Sequence, residues 1–205
     1  MKLFNLVVVS LGLSLIGFGI ISCASTPEFQ VAEDSAKPAG RISSRGKAID
    51  LEGQGGWDTG DKFPSSEVVT ANMQDGSLPT KGKVRIISVV PSIDTLVCEQ
   101  QTHLLGETKK LKPGIERVTI SMDLPMAQKR FAKEAKLENI TYFSDFKKKT
   151  FGQQTGLLMK GSGLLARAVI VLDEAGKVRY FQITPDVAQM PDMDRAFEEA
   201  NKLMK

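Results

Sequence analysis

A mixed α/β fold is what this sequence predicts: one sheet flanked by helices, with a small β-hairpin at its N-terminal side. Three observations carry that prediction. Val84–Val90 is a short run dominated by β-branched residues, the pattern of a strand buried on both faces. Strand and helix patterns then alternate as far as Phe143. A strand pair over Arg167–Ile183 and a helix from Pro191 close the chain, and that order suits a mixed sheet covered by helices.

The elements follow in order. Met1-Lys2 is a short basic start, and Leu3 to Ile21 carries no charge and is mostly apolar, as in a secretory signal. Ile20-Ile21-Ser22-Cys23 resembles the bacterial lipoprotein processing signal, in which the cysteine receives the diacylglyceryl group. The expected division is therefore a signal peptide over 1–22, a lipidated tether over 23–39 starting at Cys23, and one domain over 40–205. An uncleaved anchor helix is the alternative. The tether, rich in Ala, Ser, Pro and charge, has no apolar period. Fully extended at ~3.3 Å per residue it reaches about 50 Å from a membrane. Ala24, rather than Asp, after Cys23 points to outer-membrane delivery in a host with two membranes. The protein is thus expected in the cell envelope, facing the periplasm or exterior.

Arg41–Ser43 and Lys47–Leu51 flank a Ser-Arg-Gly turn and predict the hairpin. Gly53–Gly60 holds the only tryptophan, Trp57, and reads as a surface turn. It lacks the lysine and spacing of a phosphate loop. Pro91 ends the Val84–Val90 strand, and Val97 to about Lys109 is helical in pattern. Arg117–Met122 is a strand. Pro125, in the favoured first position, opens a helix through Lys136. Ile140–Phe143 is a short strand. Arg167–Leu172 and Lys177–Ile183 are joined by Asp173-Glu174-Ala175-Gly176, a four-residue hairpin loop. The last helix carries Met193, Phe197, Ala200 and Leu203 at spacings of three and four. The closing hairpin and helix resemble a thioredoxin-like half.

Composition narrows the function. The 205 residues hold 27 Lys plus Arg against 24 Asp plus Glu, a net charge of +3, with no basic cluster interleaved with aromatics. That argues against nucleic acid as a partner. Two cysteines and one histidine cannot build a multi-ligand zinc site or a disulfide-dense scaffold. No metal or organic cofactor is implied. With Cys23 used by lipid, one thiol is left, Cys98.

Cys98 lies just past a strand, in the first turn of a helix. The unpaired N–H groups and positive dipole end of that turn favour an anion, hence the thiolate. Thr95, three residues earlier, is placed to cap the helix and aim its hydroxyl at the same spot. Pro91 stiffens the approach to the turn. His103, five residues past Cys98, is about 140° around the helix at ~100° per residue, a poor position for a direct base. Lys147–Lys149 reads as a solvated basic stretch, and Phe131 and Phe151 as core.

Pro91, Thr95 and Cys98 match the Pro-x-x-x-Thr-x-x-Cys motif of the peroxiredoxins. The longer string VVPSIDTLVCEQQT resembles the thiol peroxidase branch, the atypical two-cysteine peroxiredoxins. Val118–Phe131, Tyr142–Phe146 with Phe151-Gly152, and Gly163–Val178 are similar to that branch in the same order. The resemblance runs from about Gly40 to the C-terminus and implies a thioredoxin-like fold. It implies Cys98 as peroxidatic nucleophile and Arg167 as the cation that neutralises it and orients the peroxide. Thr95 would be a hydrogen-bond donor to the peroxide, and Pro91 a positioning residue. It also implies a homodimer through a face near the site.

The sequence departs from the branch at one place. The resolving cysteine, which follows Lys129-Arg130-Phe131 in the pattern, is Ala132 here. The internal-disulfide cycle cannot be carried over, so an external thiol or thioredoxin-like reductant is expected to reduce the sulfenic acid. A Cys23 left unlipidated could substitute as resolving thiol. The leading expectation is a membrane-anchored, one-cysteine peroxidase acting on hydrogen peroxide or organic hydroperoxides. Leu96, Met126 and Phe131 are candidates for an apolar wall beside the thiol. The alternative is a non-catalytic peroxiredoxin-like lipoprotein serving as redox sensor or binding module. A disulfide reductase of thioredoxin type is excluded, because no C-x-x-C is present.

Overall fold

The structure is a computed structural model and describes residues 29–204. Cys23 and the signal-like run lie outside the described residues. The first strands are β1 (Arg41–Ser44), β2 (Lys47–Glu52), β3 (Glu67–Thr70), β4 (Asp75–Ser77) and β5 (Arg85–Val89). Then come α1 (Leu96–Glu107), β6 (Glu116–Ser121), α2 (Pro125–Glu134), β7 (Thr141–Ser144), α3 (Thr150–Thr155) and β8 (Leu158–Met159). The chain ends with β9 (Ala168–Leu172), β10 (Val178–Ile183) and α4 (Met193–Lys202).

Seven strands form one sheet in the order β10-β9-β5-β6-β7-β3-β4, and β1, β2 and β8 form a small antiparallel one. β5, β6 and β7 run parallel, and β9 and β3 join them antiparallel on either side. This is the mixed, helix-flanked thioredoxin-like architecture the sequence predicts.

Alternation along the central strands sorts side chains onto two cores. Ile87 and Val89 of β5, with Ala168 and Ile170 of β9, face Trp57, Phe63 and Phe151. Ile86, Val169 and Val171 face Leu105 of α1 and Met193, Phe197 and Ala200 of α4. With both faces covered, every residue of β5 and β9 is buried; β9 is wholly apolar, and β5 carries two polar side chains, Arg85 and Ser88. α4 starts where Asp192 Oδ1 accepts the Arg195 N–H at 2.9 Å. Among the described residues, no helix is long and apolar enough to cross a membrane.

Two expectations are corrected. Trp57 is not on a surface turn: it is buried, donates Nε1–H to Thr155 O, and meets Phe63 and Phe181 edge-on at 5.1 and 4.9 Å. Of the tether expected over 23–39, residues 29–39 are mostly exposed to solvent but are not a free spacer. There the backbone is tied down: Ala32 N donates to Met190 O, Ala36 N to Ile183 O and Ala39 N to Gly156 O. Gly156 makes the last of these contacts possible. Its φ is 69°, and a Cβ on it would stand 2.7 Å from Ala39 N. The β3–β4 edge of the seven-stranded sheet also differs from the sequence reading, which held no such hairpin.

Candidate active site

Because β5 and β6 are parallel, the loops that follow them open at the same edge of the sheet, the edge where open α/β sheets hold ligands. Asp123, after β6, ties these loops together. Its carboxylate accepts from Ser92 Oγ at 2.7 Å and from the Ile93 N–H at 2.8 Å. Pro91 is buried in this turn, and α1 begins five residues later.

Cys98 is the third residue of α1. The first amide with a backbone acceptor there is Glu99, on Thr95 O at 2.9 Å, which leaves the N–H groups of the opening turn facing the thiol end. The Cys98 side chain is fully buried beneath Val90 and Ile93, with Phe131 of α2 packed against them. It is the only free thiol among the described residues.

Two donors converge on its sulfur. Thr95 Oγ1 lies 3.0 Å from Cys98 Sγ, and Arg167 Nη2 lies 3.3 Å away. Thr95 occupies the N-cap position with extended backbone, yet its hydroxyl makes no cap hydrogen bond. The sulfur takes the place of the helix amide the sequence reading gave it.

Arg167 stands one residue before β9 and is 2 % exposed. Its Nη1 donates to Gln101 Oε1 at 2.9 Å and its Nε to Val187 O at 3.0 Å. Gln101 in turn donates Nε2–H to Ser88 Oγ at 2.9 Å and to Ala168 O at 3.1 Å. This fully buried amide joins α1, β5, β9 and the guanidinium. Among the described residues Arg167 forms no ion pair with a carboxylate. A buried cation without a counter-ion costs several kcal/mol, on the order of the Born penalty after relaxation. Negative charge arising on the Cys98 sulfur, 3.3 Å from Nη2, would offset it.

The predicted residues thus divide. Cys98, Thr95 and Arg167 meet, and Pro91 sits in the loop that leads to them. Of the apolar wall, only Phe131 packs at the thiol, while Leu96 and Met126 point to solvent. His103 turns away, its Nδ1 2.7 Å from Glu107 Oε1. Lys147 and Lys148 pair with Asp75 and Glu67 across the sheet edge. Ala132 is buried in α2 among Leu105, Leu137 and Ile140. Sequence reasoning missed Gln101 and Asp123. Both lie inside the quoted strings, but only their hydrogen bonds reveal what they hold.

Residues 58–197 match the family model described as Redoxin. The chain is 36% identical over 148 residues to a thiol peroxidase of Aquifex aeolicus, covering 71% of this chain and 88% of that one. It is 38% identical over 165 residues to a thiol peroxidase of Bacillus subtilis, covering 80% and 98%.

The chain belongs to the redoxin family, in its thiol peroxidase branch.

Solved structures agree. A peroxiredoxin-like protein from Aquifex aeolicus superposes with a TM-score of 0.75 at 34% identity, over 82% of this chain and 100% of the other. A thiol peroxidase from Chromobacterium violaceum, at 21% identity and a TM-score of 0.66, shares the fold. This protein is a peroxiredoxin-type oxidoreductase with thiol-dependent peroxidase activity. A peroxide is its substrate and a thiol its reductant.

Proposed function

We propose that Cys98 is the nucleophile of a one-cysteine cycle that reduces hydrogen peroxide or organic hydroperoxides, in a protein held at a membrane by its N-terminal segment. The observation that carries this reading is the buried Arg167 guanidinium, 3.3 Å from Cys98 Sγ and without a carboxylate partner among the described residues.

The Cys98 thiolate attacks the terminal peroxide oxygen in line with the O–O bond. The S–O bond forms as the O–O bond breaks, and the leaving oxygen takes a proton and departs as water or alcohol. Cys98 is left as a sulfenic acid. Thr95, exposed beside the sulfur, marks the side from which a peroxide arrives and offers its hydroxyl to it. Arg167 and the amides of the first turn of α1 stabilise the charge that grows on the leaving oxygen. Gln101 keeps the guanidinium fork aimed at the sulfur, and Asp123 and Pro91 hold the loop. An external thiol then attacks the sulfenic sulfur and releases water. A second thiol breaks the mixed disulfide and restores Cys98. No second cysteine stands in the described residues, and Ala132 fills the resolving place.

The uncharged run Leu3–Ile21 followed by Cys23 supports the envelope location and the lipid anchor. The test is steady-state peroxide consumption with dithiothreitol as reductant. Turnover in the intact chain, absent in Cys98→Ser and retained in Cys23→Ser, is the expected result. Turnover that survives Cys98→Ser contradicts the assignment.

A further inference from the structure

Large apolar side chains are exposed at six places among the described residues, and five of them lie on α1, at the start of α2, or in the groove beside α1. Leu96 is 67 % exposed at the start of α1, two residues from Cys98. Leu104 follows two turns later on the same helix face. Leu124 and Met126 stand at the start of α2, whose loop Asp123 ties to the loop before α1. Val31 completes the set: with Phe29 and Leu104 it lines a groove beside α1. A second groove, of about 460 Å³, runs along α1 between Phe29, Leu96 and Leu104. Only Met73, at the turn between β3 and β4, lies elsewhere.

The described chain begins at Phe29, on this face. The uncharged apolar run ends at Ile21, eight residues before it. Eight residues span at most about 26 Å at ~3.3 Å each. Whether the run is an uncleaved anchor or gives way to a lipid on Cys23, the bilayer is held within that reach of Leu96 and Leu104. We propose that this face, Phe29, Val31, Leu96 and Leu104 with Leu124 and Met126, rests on the bilayer surface and turns the exposed Thr95 beside Cys98 toward the lipid. It rests on the membrane tether of the reading above.

The physical case is the cost of leaving such side chains in water while the anchor holds a hydrocarbon boundary beside them. Glu99 and Glu107 flank the strip on α1, so the face suits a zwitterionic surface better than an anionic one. A peroxide carried on a lipid chain then reaches Thr95 and Cys98 without crossing bulk water.

The test uses the full chain in phosphatidylcholine vesicles, with bromine-labelled phosphatidylcholine as the quencher. Tryptophan is placed by Leu104→Trp, by Val31→Trp as an independent second site, and by Met73→Trp as the remote control. The unaltered chain, whose one tryptophan is buried, supplies the background. An apolar face seated ~5–10 Å into the boundary should lose roughly half the added emission at positions 104 and 31, with little change at 73. Equal quenching at all three positions, or none at 104 and 31, overturns the surface. So does emission at 104 that shifts with protein concentration in detergent and ignores the lipid, because a second copy then covers the face. A chain that fails to float with the vesicles sinks the tether and this surface together. Peroxide oxidation of Cys98 is measured on the same samples. Its loss with quenching intact would sink the peroxidase reading alone.

Discussion

At the scale of single residues, the site is a small charge balance. Arg167 is buried, its three donor nitrogens are each committed, and one of them is committed to sulfur. Lysine has one ammonium point charge and cannot serve Cys98, Gln101 and Val187 at once. Arg167→Lys is therefore expected to lower the rate constant for Cys98 oxidation by roughly 10²-fold or more, the usual effect of losing one preorganised donor. Stopped-flow mixing with peroxide checks it, and a loss below threefold would mean the guanidinium fork is dispensable. Gln101 touches no reacting atom, so it acts through Arg167. Gln101→Ala should slow oxidation less than Arg167→Lys while costing about 1–3 kcal/mol of stability, because Ser88 and Ala168 lose a buried donor. Gln101→Glu gives Arg167 a carboxylate that competes with the Cys98 sulfur for the guanidinium. It should keep the fold and still slow oxidation, an outcome a purely structural role would not produce. The part played by Gln101 was not legible beforehand. Cys98, Thr95, Pro91 and Arg167 were visible as a motif, but a glutamine one turn after a cysteine carries no signature of its own.

At the scale of elements, those with a side-chain period or a punctuating residue were legible. Pro125 at the first position of α2, the β-branched run of β5 and the apolar spacing of α4 all lie where the pattern put them. The ones that escaped lack such marks. β3 and β4 turn at Met73, a non-glycine with φ of 63°, so no glycine or proline flagged the hairpin. α3 has six residues and is held from outside itself: Asp145 accepts the N–H groups of Phe151 and Gly152. Burial pushes the Asp145 carboxyl up to about 6, against the pull of those amides. Because its folded value lies above its unfolded one, its stabilising contribution is full below about pH 4 and is lost as pH rises through 6. The cost of Asp145→Asn, read from urea midpoints, should thus be larger at pH 4 than at pH 7. A cost that grows with pH would show that the amides, not burial, dominate.

At the scale of the whole molecule, two regions were misjudged for one reason. Residues 29–39 dock through backbone hydrogen bonds to Met190, Ile183 and Gly156, and backbone bonds leave no trace in side-chain composition. Trp57 sits in a glycine-rich stretch that reads as surface, yet its ring closes the core between Phe63 and Phe181. Trp57→Ala should cost about 3–5 kcal/mol by the usual measure of a large buried aromatic, seen as a fall in the denaturation midpoint. The catalytic cycle is also a property of the whole chain. With Ala132 at the resolving place, no neighbouring thiol among the described residues traps the sulfenic acid. Excess peroxide without reductant is expected to drive Cys98 to the sulfinic acid, a gain of two oxygens by mass. The central claim is that Cys98 is a peroxide-reactive nucleophile, and stopped-flow oxidation of the reduced protein with mass readout of Cys98 tests it most directly. Cys98 should gain one oxygen at one equivalent of hydrogen peroxide or cumene hydroperoxide, at roughly 10⁴ M⁻¹s⁻¹ or faster, the lower range of enzyme efficiencies. A rate no faster than that of a free thiol, with Cys98 unmodified, would contradict it.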